Sequence, residues 1–207
     1  MGPRRTVDRF AGLPITQAAL EFATARHAGQ CREIDRAPFI NHPIQVALLL
    51  QRAGYPDQVI AAGLLHDVLE RTSIPASELR RRFGPRIARL VATVSDDPSI
   101  EDYDERKRVL RARVAQAGCD AFAIYAADKI TKVQELKLLP ESRLQDRTTA
   151  SKLTHYRASL EMLRRVAADA TLVGQLEAEL ARLDTAATTK GAATTSRAPR
   201  PRTGVNR

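Results

Sequence analysis

The stretch AAGLLHDVLERT, residues 61–72, decides how this chain is read. It begins apolar and ends with His66, Asp67, Glu70 and Arg71 crowded into about one helical turn. Extended back to Asp57, its apolar residues (Val59, Ile60, Ala62, Gly63, Leu64, Leu65 and Val68) leave little room for a polar face. The spacing predicts a helix from Asp57 to Glu70 or Arg71, buried on nearly all sides. A charged Asp67 at the end of such a helix needs a partner, because an unpaired buried carboxylate is strongly destabilising. Two explanations stand at this point. His66 and Asp67 form a satisfied hydrogen-bonded pair in the core, or they are ligands of a metal.

Working outward, the neighbouring segments are also helical. Thr16 is placed to cap a helix running to about His27. GQCREIDRAPFINHP, 29–43, has a Gly, two Pro and no apolar period, and reads as a loop; Pro43 then opens a helix that Gly54 stops. PASELRRRFG and PRIARLVATVS read as two short helices, and DDPSIEDYD as a polar connector. An Arg-rich helix is expected from Glu105 to Ala117, and DAFAIYAADKITKVQEL carries apolar residues at helical spacing. Residues 150–183 read as one long helix or two. Nothing alternates with period two over a convincing length, so the fold class is all-α.

Composition sets the outer limits. A chain of 207 residues with 43% hydrophobic content builds one domain with a real core, packed by aliphatic side chains because aromatics are only 4% and Trp is absent. No apolar run approaches the roughly 18–20 residues of a membrane span, and the N-terminus has no apolar signal region. Gly2 and Thr6 fit a short lipidation pattern, but Pro3 beside the acceptor glycine argues against it. Cys31 and Cys119 make no CxxC and no disulfide framework, so a cytoplasmic setting is expected. Residues 1–13 read as a flexible leader, 14–184 as the domain, and 185–207 as a disordered basic tail. The tail holds five cations and no acid after Asp184, more than half of the net charge of +9. Any nucleic-acid contact is expected through this tail alone.

Further candidates join His66 and Asp67. His42 precedes a helix, and Asp128 interrupts the apolar face of YAADKI. Two His and two Asp from three separate elements make a mixed nitrogen and oxygen donor set, suited to Mn²⁺, Fe²⁺ or Zn²⁺. Glu70 lies four residues after His66 and three after Asp67, on their general face. Arg32 and Arg36, near the loop, are either phosphate-binding or ordinary surface arginines.

Five segments, FATARHAGQCR, PFINHPIQVALLL, AAGLLHDVLERT, FGPRIARLVATVSDD and AADK, occur in an order and spacing that resembles the HD-domain alarmone hydrolases. These are the hydrolase half of the RelA/SpoT enzymes and their small stand-alone relatives, and the resemblance covers roughly residues 16–170. It implies a helical bundle of about ten helices and a bound Mn²⁺. It also implies removal of the 3′-pyrophosphate from guanosine tetra- or pentaphosphate. His42, His66, Asp67 and Asp128 match the family's metal ligands, and Glu70 matches the acid that handles the attacking water. Arg32, Arg36, Asn41 and Lys132 complete the set expected at the substrate. His27 and His155 are expected to support the fold or the ligands rather than bind metal.

The chain also departs from the family's pattern. HDxxED becomes His66-Asp67-Val68-Leu69-Glu70-Arg71, so the second acid is a cation. Tyr125 stands for the usual lysine, Lys132 for the usual asparagine, and Phe39 for the usual tyrosine before INHP. Arg71 and Lys132 each lie four residues after a candidate metal-binding aspartate, where ion pairs are favoured. Three readings of Arg71 remain open: it contacts substrate phosphate, it pairs with Glu70 or Asp67 and weakens the site, or it faces solvent. The rival functions are a hydrolase of another phosphorylated nucleotide and a degenerate module that binds nucleotide without turnover.

Overall fold

The computed structural model describes residues 8–144, 146–166 and 170–195. A 3-10 turn, Asp8–Phe10, leads into ten α-helices among these residues: α1 Pro14–Arg26, α2 Asn41–Arg52, α3 Asp57–Leu65, α4 Val68–Arg71, α5 Ala76–Val94, α6 Tyr103–Val114, α7 Cys119–Leu136, α8 Glu141–Leu144, α9 Arg147–Arg165 and α10 Ala170–Thr195. There is no strand among the described residues, only an isolated antiparallel bridge between Cys31 and Pro38.

Helix α3 is the central post. Every residue from Val59 to Leu65 is buried, because α1, α2, α5 and α7 pack around it. Each fully buried Leu or Ile here contributes about 1.5–3 kcal/mol. Gly63 lets α2 come close: a Cβ at that position would lie 2.5 Å from Leu50 Cδ1. Helix α7 is the second buried element, with Ala121 to Thr131 all inside. Helix α9 packs on α6 and α7, and α10 packs on α7 and α9.

The structure corrects several boundaries. The helix expected from Asp57 to Glu70 or Arg71 breaks at His66-Asp67 and resumes as the single turn α4. Thr16 is not the cap of α1. Leu13 holds that position, Pro14 opens the helix, and Asp57 accepts from the N–H groups of Ile15 (3.0 Å) and Thr16 (2.8 Å). A carboxylate from α3 thus satisfies donors that a local cap would otherwise take, tying the two helices together. The two helices expected between Pro75 and Ser95 are both present: α5 consists of two helical segments that meet in a kink at Gly84. Its φ of 83° is a conformation that favours glycine, and Pro85 follows. Helix α6 starts at Tyr103 because Asp102 caps it, accepting the Glu105 N–H at 2.7 Å.

Within the expected leader, Phe10 is fully buried; residues 1–7 lie outside the described residues. Helix α10 runs through Thr195, past the boundary expected after Asp184. Positions 196–207 of the expected tail lie outside the described residues. No described helix is long and apolar enough to cross a membrane.

Candidate active site

The break after Leu65 turns His66 and Asp67 inward at the end of α3. His66 Nδ1 donates to the Gly63 carbonyl at 2.8 Å, which leaves Nε2 facing the interior. His42 lies in the first turn of α2, rather than in the preceding loop, because that helix begins at Asn41. Its Nδ1 faces Glu135 Oε1 at 3.1 Å and Thr131 Oγ1 at 3.3 Å, and its Nε2 also points inward. Asp128 enters from the buried face of α7.

The four side chains meet at one point. His42 Nε2 is 3.3 Å from His66 Nε2 and 3.1 Å from Asp128 Oδ1. Asp67 Oδ2 is 3.3 Å from His66 Nε2 and 3.5 Å from His42 Nε2. Donors bound to one ion at about 2.0–2.2 Å sit about 3 Å apart, so these separations fit a shared divalent metal. The residues pass a second test. Asp67 Oδ2 is buried with no hydrogen-bond partner among the described residues, and a buried carboxylate oxygen is costly to leave so. A metal would satisfy it.

The electrostatics follow from burial and neighbours. Burial pushes the Asp128 carboxyl up, but Lys129 and then Lys132 outweigh it and hold the group well below the usual carboxylate range. Lys129 Nζ lies 2.6 Å from Asp128 Oδ2, and Lys132 Nζ lies 2.9 Å from Oδ1. Burial lowers the His66 pKa, but the Asp67 carboxylate and Asp128 raise it to about 10 without metal. Asp67, in turn, is held well below its ordinary value against burial, chiefly by His66 and then Lys132.

A cleft adjoins these donors. Glu70, Arg71, Arg32, Lys132, Glu135 and Phe39 line it near these converging donors, with Asp96, Tyr103, Arg106, Lys107, Lys129, Lys152, His155 and Tyr156 completing its walls. Seven cations against four acids, the fourth being Glu33, suit a polyanion. Glu70 Oε1 accepts the Asp96 N–H at 2.6 Å. The surrounding protein and the Asp67 carboxylate push the Glu70 carboxyl above its ordinary value. Lys107 pairs with Asp96 at 2.5 Å.

Other expected residues divide. Arg32 lines the cleft but is tied to Asp35 and to Glu135, at 3.2 Å from the latter, so it also steadies the carboxylate behind His42. Arg36 and Asn41 are both exposed and neither lines the cleft. Arg36 instead turns the loop with a φ of 60°, and Asn41 opens α2. His27 is buried against Phe39 and bonded to Gln30, apart from the converging donors. His155 is buried, its Nδ1 accepting from Arg111 at 2.6 Å. Tyr125 is buried with its hydroxyl on Ser159 and Lys129 over its ring. Sequence reasoning missed Glu135, Lys129, Asp96, Lys107 and Tyr156. Glu135 had a signal, since it lies seven residues, about two turns, after Asp128 on the same helix.

Comparison with known proteins agrees with this arrangement. An HD-domain family model matches residues 19–155. The MESH1 guanosine-3′,5′-bis(diphosphate) 3′-pyrophosphohydrolase of Drosophila melanogaster is 36% identical over 122 residues, covering 58% of this chain and 68% of that one. The human MESH1 is 36% identical over 121 residues, covering 57% and 67%. The corresponding Aquifex aeolicus enzyme is 34% identical over 129 residues, 61% of this chain but only 18% of that longer protein. A solved structure of a metazoan ortholog of SpoT, described as hydrolysing ppGpp, superposes with a TM-score of 0.73 at 27% identity, over 81% of this chain and 94% of that one. The chain thus belongs to the HD-domain family of metal-dependent phosphohydrolases, and among them it resembles the guanosine-3′,5′-bis(diphosphate) 3′-pyrophosphohydrolases.

Proposed function

We propose that this protein hydrolyses the 3′-pyrophosphate of guanosine tetra- or pentaphosphate, using Mn²⁺ held by His42, His66, Asp67 and Asp128. The observation that carries the reading is the convergence of two imidazole nitrogens and two carboxylates beside a cation-rich cleft. A bound divalent ion supplies Lewis acidity: it lowers the pKa of water and offsets phosphate charge.

The chain's own residues do the rest. Glu70 takes the proton of the attacking water; its raised pKa brings it closer to the working range of a general base. The Asp96 N–H holds one Glu70 oxygen and so fixes the orientation of the carboxylate. Water oxygen bonds to the phosphorus attached to the 3′ oxygen, that P–O bond breaks, and the nucleoside leaves with a 3′-hydroxyl after taking up a proton. Lys132, Lys107 and Lys152 along the cleft neutralise the phosphates during binding. The complete donor set supports turnover over nucleotide binding without it. The two exposed, unpaired cysteines suit a reducing cytoplasm.

The test is direct. Protein stripped with chelator and reloaded with Mn²⁺ is incubated with guanosine tetraphosphate, and the products are separated. Equal release of pyrophosphate and guanosine diphosphate is expected, lost without metal. Protein that retains no metal after Mn²⁺ loading and desalting overturns the metal assignment. Metal retention with cleavage only of another phosphorylated nucleotide overturns the substrate.

A further inference from the structure

We propose that Arg71 is a substrate-binding residue that grips the oxygens of the 3′-pyrophosphate next to the metal-ligating side chains. This rests on the reading that a 3′-pyrophosphate is cleaved here.

The geometry favours this role over the other two open from the sequence. Arg71 closes the single turn α4, and its carbonyl accepts from Gln30 Nε2 at 2.9 Å. Its guanidinium carbon lies 4.3 Å from the centre of the Phe39 ring. Backbone and side chain are therefore both held by the loop between α1 and α2, so the side chain is not merely trailing in solvent. A guanidinium on an aromatic face is held by attraction to the ring while its N–H edge stays available.

The pairing with Asp67 is weak. Only Nε approaches it, at 3.9 Å, and Asp67 Oδ2 still has no hydrogen-bond partner. No hydrogen bond or ion pair occupies the two terminal nitrogens among the described residues, and Arg71 lines the cleft. The side chain is 45% exposed, so the terminal fork is reachable by a ligand. Such a fork suits two phosphate oxygens at once.

Position then selects which phosphate. Arg71 sits one turn after Asp67 with its Nε 3.9 Å from Asp67 Oδ2, which puts its guanidinium at the end of the cleft where the candidate metal donors converge. Its fork reaches the phosphates beside the reacting phosphorus rather than the 5′-diphosphate. Arg71 thereby fixes which end of a doubly pyrophosphorylated nucleotide enters the site.

The experiment titrates inorganic pyrophosphate, with Mn²⁺ in excess over it, into the Mn²⁺-loaded full chain and its Arg71→Gln, Arg71→Lys and Phe39→Leu variants. Bound metal, melting temperature and guanosine tetraphosphate kinetics are measured on the same preparations. Arg71→Gln is expected to weaken pyrophosphate binding by about 10–100-fold, the worth of a charged hydrogen-bond pair, with a comparable rise in KM and unchanged metal content. Arg71→Lys keeps charge but not the fork and falls between. Phe39→Leu removes the platform and costs a few-fold. Pyrophosphate affinity within about twofold of wild type in Arg71→Gln overturns the proposal, as does loss of bound Mn²⁺ in that variant. Absence of turnover by the wild type overturns the proposed reaction, while the pyrophosphate titration still decides Arg71.

Discussion

The floor of the site and the walls of the cleft solve different problems. On the floor, His42, His66, Asp67 and Asp128 are each no more than 5% exposed, and three of the four are fixed from behind. His66 is held by the Gly63 carbonyl, His42 by Glu135 and Thr131, and Asp128 by Lys129 and Lys132. On the walls, Arg71 and Lys152 are long side chains that reach water. Coordination demands donors positioned to a fraction of an ångström, which only packed and hydrogen-bonded side chains provide. Attracting a polyphosphate demands charge rather than fixed coordinates, which flexible cations supply. Arg71 is the more constrained wall cation, since its guanidinium lies over the Phe39 ring and its carbonyl accepts from Gln30.

The largest expected effect falls on the floor. His66→Ala is expected to abolish bound metal and lower turnover by at least about 10³-fold, since metal ions supply several kcal/mol of transition-state stabilisation. Helicity by circular dichroism should hardly change. A metal-replete, active His66→Ala protein would break the contrast between floor and wall.

Next comes the support behind a floor residue. Glu135→Ala is expected to weaken Mn²⁺ binding by about 10–100-fold by releasing the His42 ring. Calorimetric metal titration measures this, and an unchanged affinity would mean that packing alone orients His42.

Metal binding is also expected to depend on pH. With its pKa raised to about 10, His66 is protonated in the metal-free protein at neutral pH. Metal and proton compete for Nε2, so affinity falls as pH falls and rises toward pH 10, by about tenfold per unit for one displaced proton. Titrations in buffers of different ionisation enthalpy count the proton released. A pH-independent affinity between 6 and 8 would mean that His66 is already neutral.

The smallest effect belongs to the wall. Lys152→Ala is expected to raise KM by about twofold to fivefold, given the roughly 0.2–1 kcal/mol of a solvent-accessible charge contact. The change should shrink at high salt and leave metal content alone. A loss as large as that expected for Arg71→Gln would place Lys152 among the fixed residues.

Much of this was legible in the chain. A helix apolar on all sides, ending in His-Asp, marked the centre of the fold, because only a surrounded helix tolerates that pattern. Asp128 was visible as an acid on an apolar face. What the sequence hid has physical causes. Lys129 and Lys107 read as ordinary solvated lysines until their carboxylate partners are known. Asp96 sits in a polar connector with no period. Arg36 and Asn41 lie near the site in sequence, but the loop and the start of α2 turn them outward. Thr16 has the chemistry of a cap, yet Asp57, 41 residues away, takes over that role.

By itself, the sequence determined the all-helical class, the buried central helix and the residue types that can bind a metal, because these depend on local periodicity and donor chemistry. Tertiary structure alone decided that the helix breaks at His66-Asp67, that Glu135 stands behind His42, and that Arg71 rests on Phe39 instead of closing on Asp67. Each of these depends on groups brought together across 32 to 93 residues of chain or on packing that overrides local helix propensity, and no spacing in the sequence records such distances.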